Sequence, residues 1–267
     1  MCTVTFIARR SGYVLGMNRD EKLSRASGLP PQEITHRGGR GILSPSEPGG
    51  GTWIGVNDVG VTLALINWYA IPSRVMGEAW SRGWVVRDAL PSDSAAALGA
   101  VLRRLPLARV NPFRLIAVFP VERAVVEWRW DRRELGSCDR PWRAGTWISS
   151  GFDEPGAQRA RGSVFEARWR RTSSHGADWL RRLHRSHRPE RGPYSVCMHR
   201  DDAATVSYTE VTVSRREATL AYTPGAPCCT PSLPAIHLPL RAVPAGLRTQ
   251  GPAVSIAQGV RAKRIPV

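Results

Sequence analysis

The chain has 267 residues, 42% of them hydrophobic and 22% charged, with a formal net charge of +16. That length can bury a sizeable core, and that balance excludes a disordered or low-complexity chain. No apolar run approaches the roughly 20 residues that cross a bilayer. TVTFIA near the start is too short for a signal-peptide core, and Arg9 and Arg10 follow it rather than precede it.

The reading is therefore a cytoplasmic protein without a membrane span. The basic excess is almost wholly arginine, Lys22 and Lys263 being the only lysines. The arginines are dispersed, apart from RWRR (168–171), LRRLHRSHR (180–188) and VRAKR (260–264), and lack the aromatic platforms of single-strand binders. Weak adhesion to polyanions is expected; a specific nucleic-acid partner is not. Five cysteines at 2, 138, 197, 228 and 229 are odd in number and irregular in spacing, which argues against a disulfide framework. No CxxC pair points to structural zinc, so no metal site and no required cofactor are assigned.

In chain order, residues 2–8 and 13–18 predict a β-hairpin turning at Arg10, Ser11 and Gly12. A long Gly- and Pro-rich loop is expected from Ser24 to Gly51. TWIGVN (52–57) and GVTLALIN (60–67) predict a second hairpin. DSAAALGAVLRRL (93–105) has helical spacing, with Ser92 or Asp93 as its cap and Pro106 as its stop. Strands are predicted at 113–120, 123–130 and 145–150, helices at 163–171 and 177–187, and strands again at 195–200, 205–214 and 217–222. From about residue 224 a proline-rich stretch reads as an extended C-terminal strap. Strands joined mostly as hairpins, with helices between them, predict an α+β layered fold of antiparallel sheets in one domain, 1–267.

Cysteine directly after Met1 is the first residue that carries chemistry. An initiator methionine is normally removed before a small residue, and Cys2 would then hold a thiol and a free α-amine. The amine's pKa near 7.7–8.0 suits a base and the thiol's near 8.5 is easily activated, so nucleophile and base share one residue. MNRDEKLSR ends the second strand, close to where the first begins. Alternation places Gly16, Asn18 and Asp20 on one face and Met17 and Arg19 on the other. Asp20 is thus a candidate to orient the ammonium of residue 2, whereas Arg19 is expected to project away from Cys2.

MC at the start, NRDE (18–21), GGTWIGVN (50–57) and GVTLALIN (60–67) together resemble the NRDE family, also called the transport and Golgi organisation 2 family. The resemblance is strong over roughly the first 70 residues and continues more weakly through WISSGFDEPG (147–156) and SVCMHRDDAATVSYTEV (195–211). It implies a branch of the N-terminal nucleophile hydrolases, an αββα sandwich of two mainly antiparallel sheets flanked by helices. By likeness to the choloylglycine hydrolase and penicillin acylase group, it implies Cys2 as nucleophile, Asp20 as its orienting acid and Asn67 as an oxyanion donor. Those enzymes carry an arginine three residues before the acid, where this chain has Met17 and the nearest arginine is Arg19. An asparagine expected near WISSGFD is replaced by Ser149 or Ser150. Asn18, Trp68, Ser149 and Ser150 complete the candidate substrate-binding set.

Two activities are therefore expected from one site: hydrolysis of a small amide, or binding and carriage of a hydrophobic ligand such as haem. The second follows from family links to haem mobilisation and, in eukaryotes, to Golgi organisation and secretion. Tryptophans such as Trp53, Trp68 and Trp80 suit an apolar pocket. His184 and His187 stand three apart on a predicted helix, and Cys197 and His199 two apart on a predicted strand. The first spacing can bind a metal but comes with no evident third ligand, and reads as a solvated basic face; the second pair could ligate a metal or haem iron, and reads as core packing. GGRG (38–41) and PGGG (48–51) lack the strand–loop–helix setting of a phosphate cradle and read as a lid over the cleft. The oligomeric state is not legible.

Overall fold

A computed structural model describes residues 2–36 and 41–241. The opening hairpin is β1 (Cys2–Arg9) and β2 (Gly12–Lys22), and both strands are buried almost end to end. Continuous rather than alternating burial means that both faces of the pair are covered. The covering layers follow from the rest of the chain.

The segment expected to be a loop contains two strands, β3 (Leu29–Thr35) and β4 (Gly41–Ser46). Prolines at 30, 31 and 45 conceal them in sequence. They are tolerated because β3 is an edge strand and β4 pairs with its inner neighbour only through Ile42 and Leu43. β5 (Ile54–Asn57) and β6 (Thr62–Asn67) form the second hairpin, and β7 (Phe113–Phe119), β8 (Ala124–Trp130) and β9 (Leu135–Arg140) extend it. Together they make a seven-stranded sheet in the order β3-β4-β5-β6-β7-β8-β9.

The other sheet adds β10 (Gly145–Ser149), β11 (Ala203–Val213), β12 (Glu217–Thr223) and β13 (Ile236–Pro239), in the order β10-β1-β2-β11-β12-β13. Every pairing of named strands is antiparallel. Residues 242–267, the end of the predicted strap with its VRAKR run, lie outside the described residues, as do Arg37 to Arg40 of the GGRG stretch.

Four α-helices among the described residues complete the layers. α1 (Arg82–Ala89) and α2 (Ala95–Arg104) are capped by Ser81 and Ser94. α3 (Glu154–Arg170) starts nine residues before the predicted helix, because the Asp153 side chain caps Gly156 and offsets the two helix-weakening glycines, Gly156 and Gly162. α4 (Ala177–His184) stops short of His187. Residues 195–200 form no strand: the Ser195 hydroxyl donates to the carbonyls of Gly192 and Cys197 and folds the segment into turns.

The apolar side chains segregate into three sets. One, including Val4, Phe6, Leu15, Met17, Ile54 and Val118, fills the space between the sheets. A second joins the seven-stranded sheet to α1 and α2 through Leu63, Leu115, Val86 and Leu98. A third joins β1 and β2 to α3 and α4 through Ile7, Val14, Leu180 and Leu183. The result is helix, sheet, sheet, helix, the expected αββα sandwich. No helix among the described residues is long and apolar enough to cross a membrane.

Candidate active site

Cys2 heads β1, an inner strand next to the edge of its sheet, opposite Ser149 on one side and Arg19 on the other. Residues directly opposite in an antiparallel pair share a face. Arg19 is therefore beside the Cys2 thiol rather than pointing away from it, because register across the hairpin governs its direction. Both line a cleft of about 260 Å³, with Asp20, Glu47, Trp53, Asn67 and Arg82.

The Arg19 guanidinium lies 4.6 Å from the centre of the Trp53 ring and pairs with Glu21 at 3.3 Å and Glu47 at 3.1 Å. Arg25 closes the network from the rim, 3.0 Å from each of the same two glutamates. Glu47 arrives on the PGGG turn, which the Glu47 N–H closes onto the Gly51 carbonyl at 2.7 Å. This turn packs backbone to backbone on Gly83 at the start of α1. PGGG is thus a fixed wall of the cleft, not a free lid.

Burial pushes the Cys2 thiol pKa up. The chain-terminal amine opposes that rise, the Asp20 charge adds to it, and Arg19 and the Asp20 backbone N–H oppose it. The Cys2 nitrogen donates to Ser149 Oγ at 3.1 Å. Ser149 therefore touches the nitrogen that would be the α-amine of a chain lacking Met1.

The Asp20 side chain alternates to the helix-facing side of β2. There its carboxylate accepts from Arg161 Nη1 at 2.9 Å and from Thr205 Oγ1 at 2.7 Å. Arg161 comes from the middle of α3 and is fully buried, with Nη1 also on Thr3 Oγ1 at 2.7 Å and Nη2 on the Pro193 carbonyl at 3.2 Å. No local motif points to it, since it lies 141 residues from its partner. Met17 is buried between the sheets. Two arginines flank this end of the hairpin on opposite faces: Arg19 on the thiol's face and Arg161 on the carboxylate's.

Asn67 ends β6 on the far wall, and its amide donates to Tyr69 Oη at 2.8 Å. The Tyr69 N–H in turn donates to Glu154 at the start of α3. Arg82, which no sequence pattern indicated, lines the same cleft and donates to the Pro112 carbonyl. Three predicted substrate-binding residues lie elsewhere. Asn18 ties the His184 and Val196 carbonyls together, Ser150 caps the turn into α3, and Trp68 lies beneath Arg129. Trp53 and Trp80 reach the cleft, but its lining is dominated by charged and polar side chains.

The histidine pairs also part company. His184 is buried against Tyr208 with its pKa brought down to about 3, first by burial and then by Arg161. His187, past the end of α4, meets Cys197, His199 and Cys228, and one ligand atom from each lies within 4.8 Å of the others.

Residues 1–129 match the family described as Transport and Golgi organisation 2. No curated protein matches the sequence. Two structures of conjugated bile acid hydrolase from Clostridium perfringens, a cysteine-to-alanine and an arginine-to-leucine variant, superimpose with TM-scores of 0.54 and 0.56. Each is 9% identical and covers 92% of its own chain, against 86% and 87% of this one. Penicillin V acylase from Agrobacterium tumefaciens is similar at a TM-score of 0.49 and 10% identity, over 84% of this chain and 83% of its own. The bile acid hydrolase likeness is one of fold: this chain has the layered sandwich of the N-terminal nucleophile hydrolases.

Proposed function

We propose that the protein, whose first half matches the Transport and Golgi organisation 2 family, is an N-terminal cysteine amidohydrolase acting on a small amide in the cytoplasm. The observation that carries this reading is Cys2 itself. Its side chain lines a cleft of N-terminal nucleophile topology, between Arg19 on one neighbouring strand and Ser149 on the other.

Removal of Met1 would free the Cys2 nitrogen as the α-amine. The thiol adds to the substrate carbonyl and its proton passes to that amine, then to the departing nitrogen as the C–N bond breaks. Water next hydrolyses the thioester, again with the amine as base. Ser149 and the Asp20–Arg161 pair orient the amine's surroundings. Asn67, held by Tyr69, offers its amide to the developing oxyanion. Arg19 favours the thiolate against the burial that opposes it. Arg82 gives the pocket a cation with no carboxylate partner among the described residues, which suits a substrate bearing an acid group. A volume of about 260 Å³ lies below the usual range for drug-sized ligands, and a small substrate fits it.

Carriage of a flat hydrophobic ligand such as haem is the second reading, and a different place supports it. A groove of about 640 Å³ between α3 and α4 has an apolar floor at Val164, Ala167 and Trp179, rimmed by Arg168, Arg182 and Arg188. Such a groove suits an apolar macrocycle with acidic substituents. One set of measurements separates the readings. Intact mass should show Met1 absent, iodoacetamide should label Cys2 faster than the other thiols, and Cys2→Ala should abolish acyl-amide hydrolysis. A chain that retains Met1 lacks the base and would end the enzyme proposal. A saturable haemin Soret shift that survives Cys2→Ala would favour carriage.

A further inference from the structure

Outside the cleft, the densest group of metal-seeking side chains is the set His187, Cys197, His199 and Cys228. We propose that these four residues form a structural zinc site, with His187 and His199 as nitrogen ligands and Cys197 and Cys228 as thiolate ligands.

Geometry carries the assignment. A tetrahedron with Zn–S of about 2.3 Å and Zn–N of about 2.05 Å has edges of about 3.4 Å between nitrogens and about 3.6 Å between nitrogen and sulfur. Here His187 Nε2 lies 3.2 Å from His199 Nε2. His199 Nε2 lies 3.6 Å from Cys197 Sγ and 3.5 Å from Cys228 Sγ. All four ligand atoms fall within 4.8 Å of one another, so the remaining pairs need close by little more than about 1 Å to complete the tetrahedron. Two nitrogens and two sulfurs at tetrahedral spacing select zinc among common biological cations.

Charge points the same way. His199 Nδ1 lies 3.5 Å from Arg191, in a stretch that also holds Arg185 and Arg188. A site of net positive charge would be repelled there. Two thiolates cancel the dication, and the thiol protons leave to solvent on binding. The local fold gives the ion a task. Residues 185–202 contain no helix or strand, and neither do residues 224–235. Three ligands come from the first segment and one from the second, so one ion would clamp the two segments together beside the start of β11. That clamp neighbours the Asp20 cradle, because the Met198 N–H donates to Thr205 Oγ1, which donates to Asp20. The spacing of nine, one and twenty-eight intervening residues matches no zinc-finger pattern, which is why the sequence does not announce it.

The test is metal analysis of the full chain, purified under reducing conditions, incubated with zinc and gel-filtered. About one zinc per chain is expected, falling below about a tenth in Cys228→Ser and His187→Ala, with Cys229→Ser and Cys138→Ser unchanged. Cobalt exchanged into the wild-type chain should give thiolate-to-metal charge transfer and visible bands of tetrahedral intensity, which does not depend on any variant folding. Chelation should lower the melting temperature of the wild type and leave Cys228→Ser unmoved. Substoichiometric zinc in the wild type would overturn the site. So would a Cys197–Cys228 disulfide in protein isolated without reductant, or equal zinc loss in Cys228→Ser and Cys229→Ser.

Discussion

Replacing Arg161 with methionine removes one half of an ion pair whose side chains are both fully buried. The substitution keeps most of the side-chain volume in α3 but deletes the hydrogen bonds to Asp20, Thr3 and the Pro193 carbonyl. It leaves the Asp20 carboxylate in a dry site, with its cationic partner gone and the Thr205 hydroxyl retained. Stranding one member of a buried pair costs about 3–5 kcal/mol, against a total stability of about 5–15 kcal/mol. For a chain of this size, the melting temperature should fall by roughly 6–20 °C. Urea unfolding of Arg161→Met, Asp20→Asn and the double variant completes the cycle. Because Asp20→Asn strands the guanidinium, each single change should cost more than its share of the double, with a coupling above about 1.5 kcal/mol. Additive losses, or a loss below about 1 kcal/mol for Arg161→Met, would refute the reasoning that this pair is a desolvated, coupled unit.

Arg19→Met should slow Cys2 alkylation near neutral pH and move its pH midpoint upward, because a cation that favours the thiolate is gone; an unmoved midpoint would disconnect Arg19 from the thiol. Glu127 is buried and accepts from Arg114, Arg129, Arg140 and Trp147; burial pushes its pKa up, but the arginines override this and bring it to about 2. Its stabilisation is therefore full above the unfolded carboxyl pKa of about 4.3 and lost as pH falls towards 2. Glu127→Gln should lower the urea midpoint at neutral pH and flatten the slope across that window, and parallel slopes would refute the assignment. A Cβ added to Gly51 would stand 2.9 Å from the Gly83 Cα, whereas one added to Gly49 meets nothing within 4 Å. Gly51→Ala should cost about 1–3 kcal/mol and Gly49→Ala much less, as read by melting temperature; equal effects would mean that the wall can move.

The hairpins, the helix at 95–104 and the strand pairs were legible because each rests on local pattern. Period-two apolar runs, a serine cap and a proline stop act within about ten residues. Cys2 and Asp20 could be named as candidates for a related reason: a hairpin brings its own ends together, and position 2 has a chemistry of its own; the Asp20 carboxylate nevertheless lies on the helix-facing side, with Arg161 and Thr205. β3 and β4 were hidden because Pro30 and Pro31 are harmless only at a sheet edge and Pro45 only past the short β4–β5 pairing, and both are properties of the assembled sheet. The start of α3 was hidden by its two glycines.

By itself, then, the sequence determined a layered α+β protein with a cysteine at its head and an acid at the end of the second strand. Tertiary structure decided which charges act on them. Register across the hairpin turned Arg19 towards the thiol, and the docking of α3 on the sheet brought Arg161 to Asp20. Packing of two irregular segments likewise gathered His187, Cys197, His199 and Cys228, which lie up to 41 residues apart in the chain. Coulombic and ligand interactions depend on distance in space, falling off over a few ångströms in partly buried surroundings. Local sequence pattern carries no record of that distance once the partners lie on different elements.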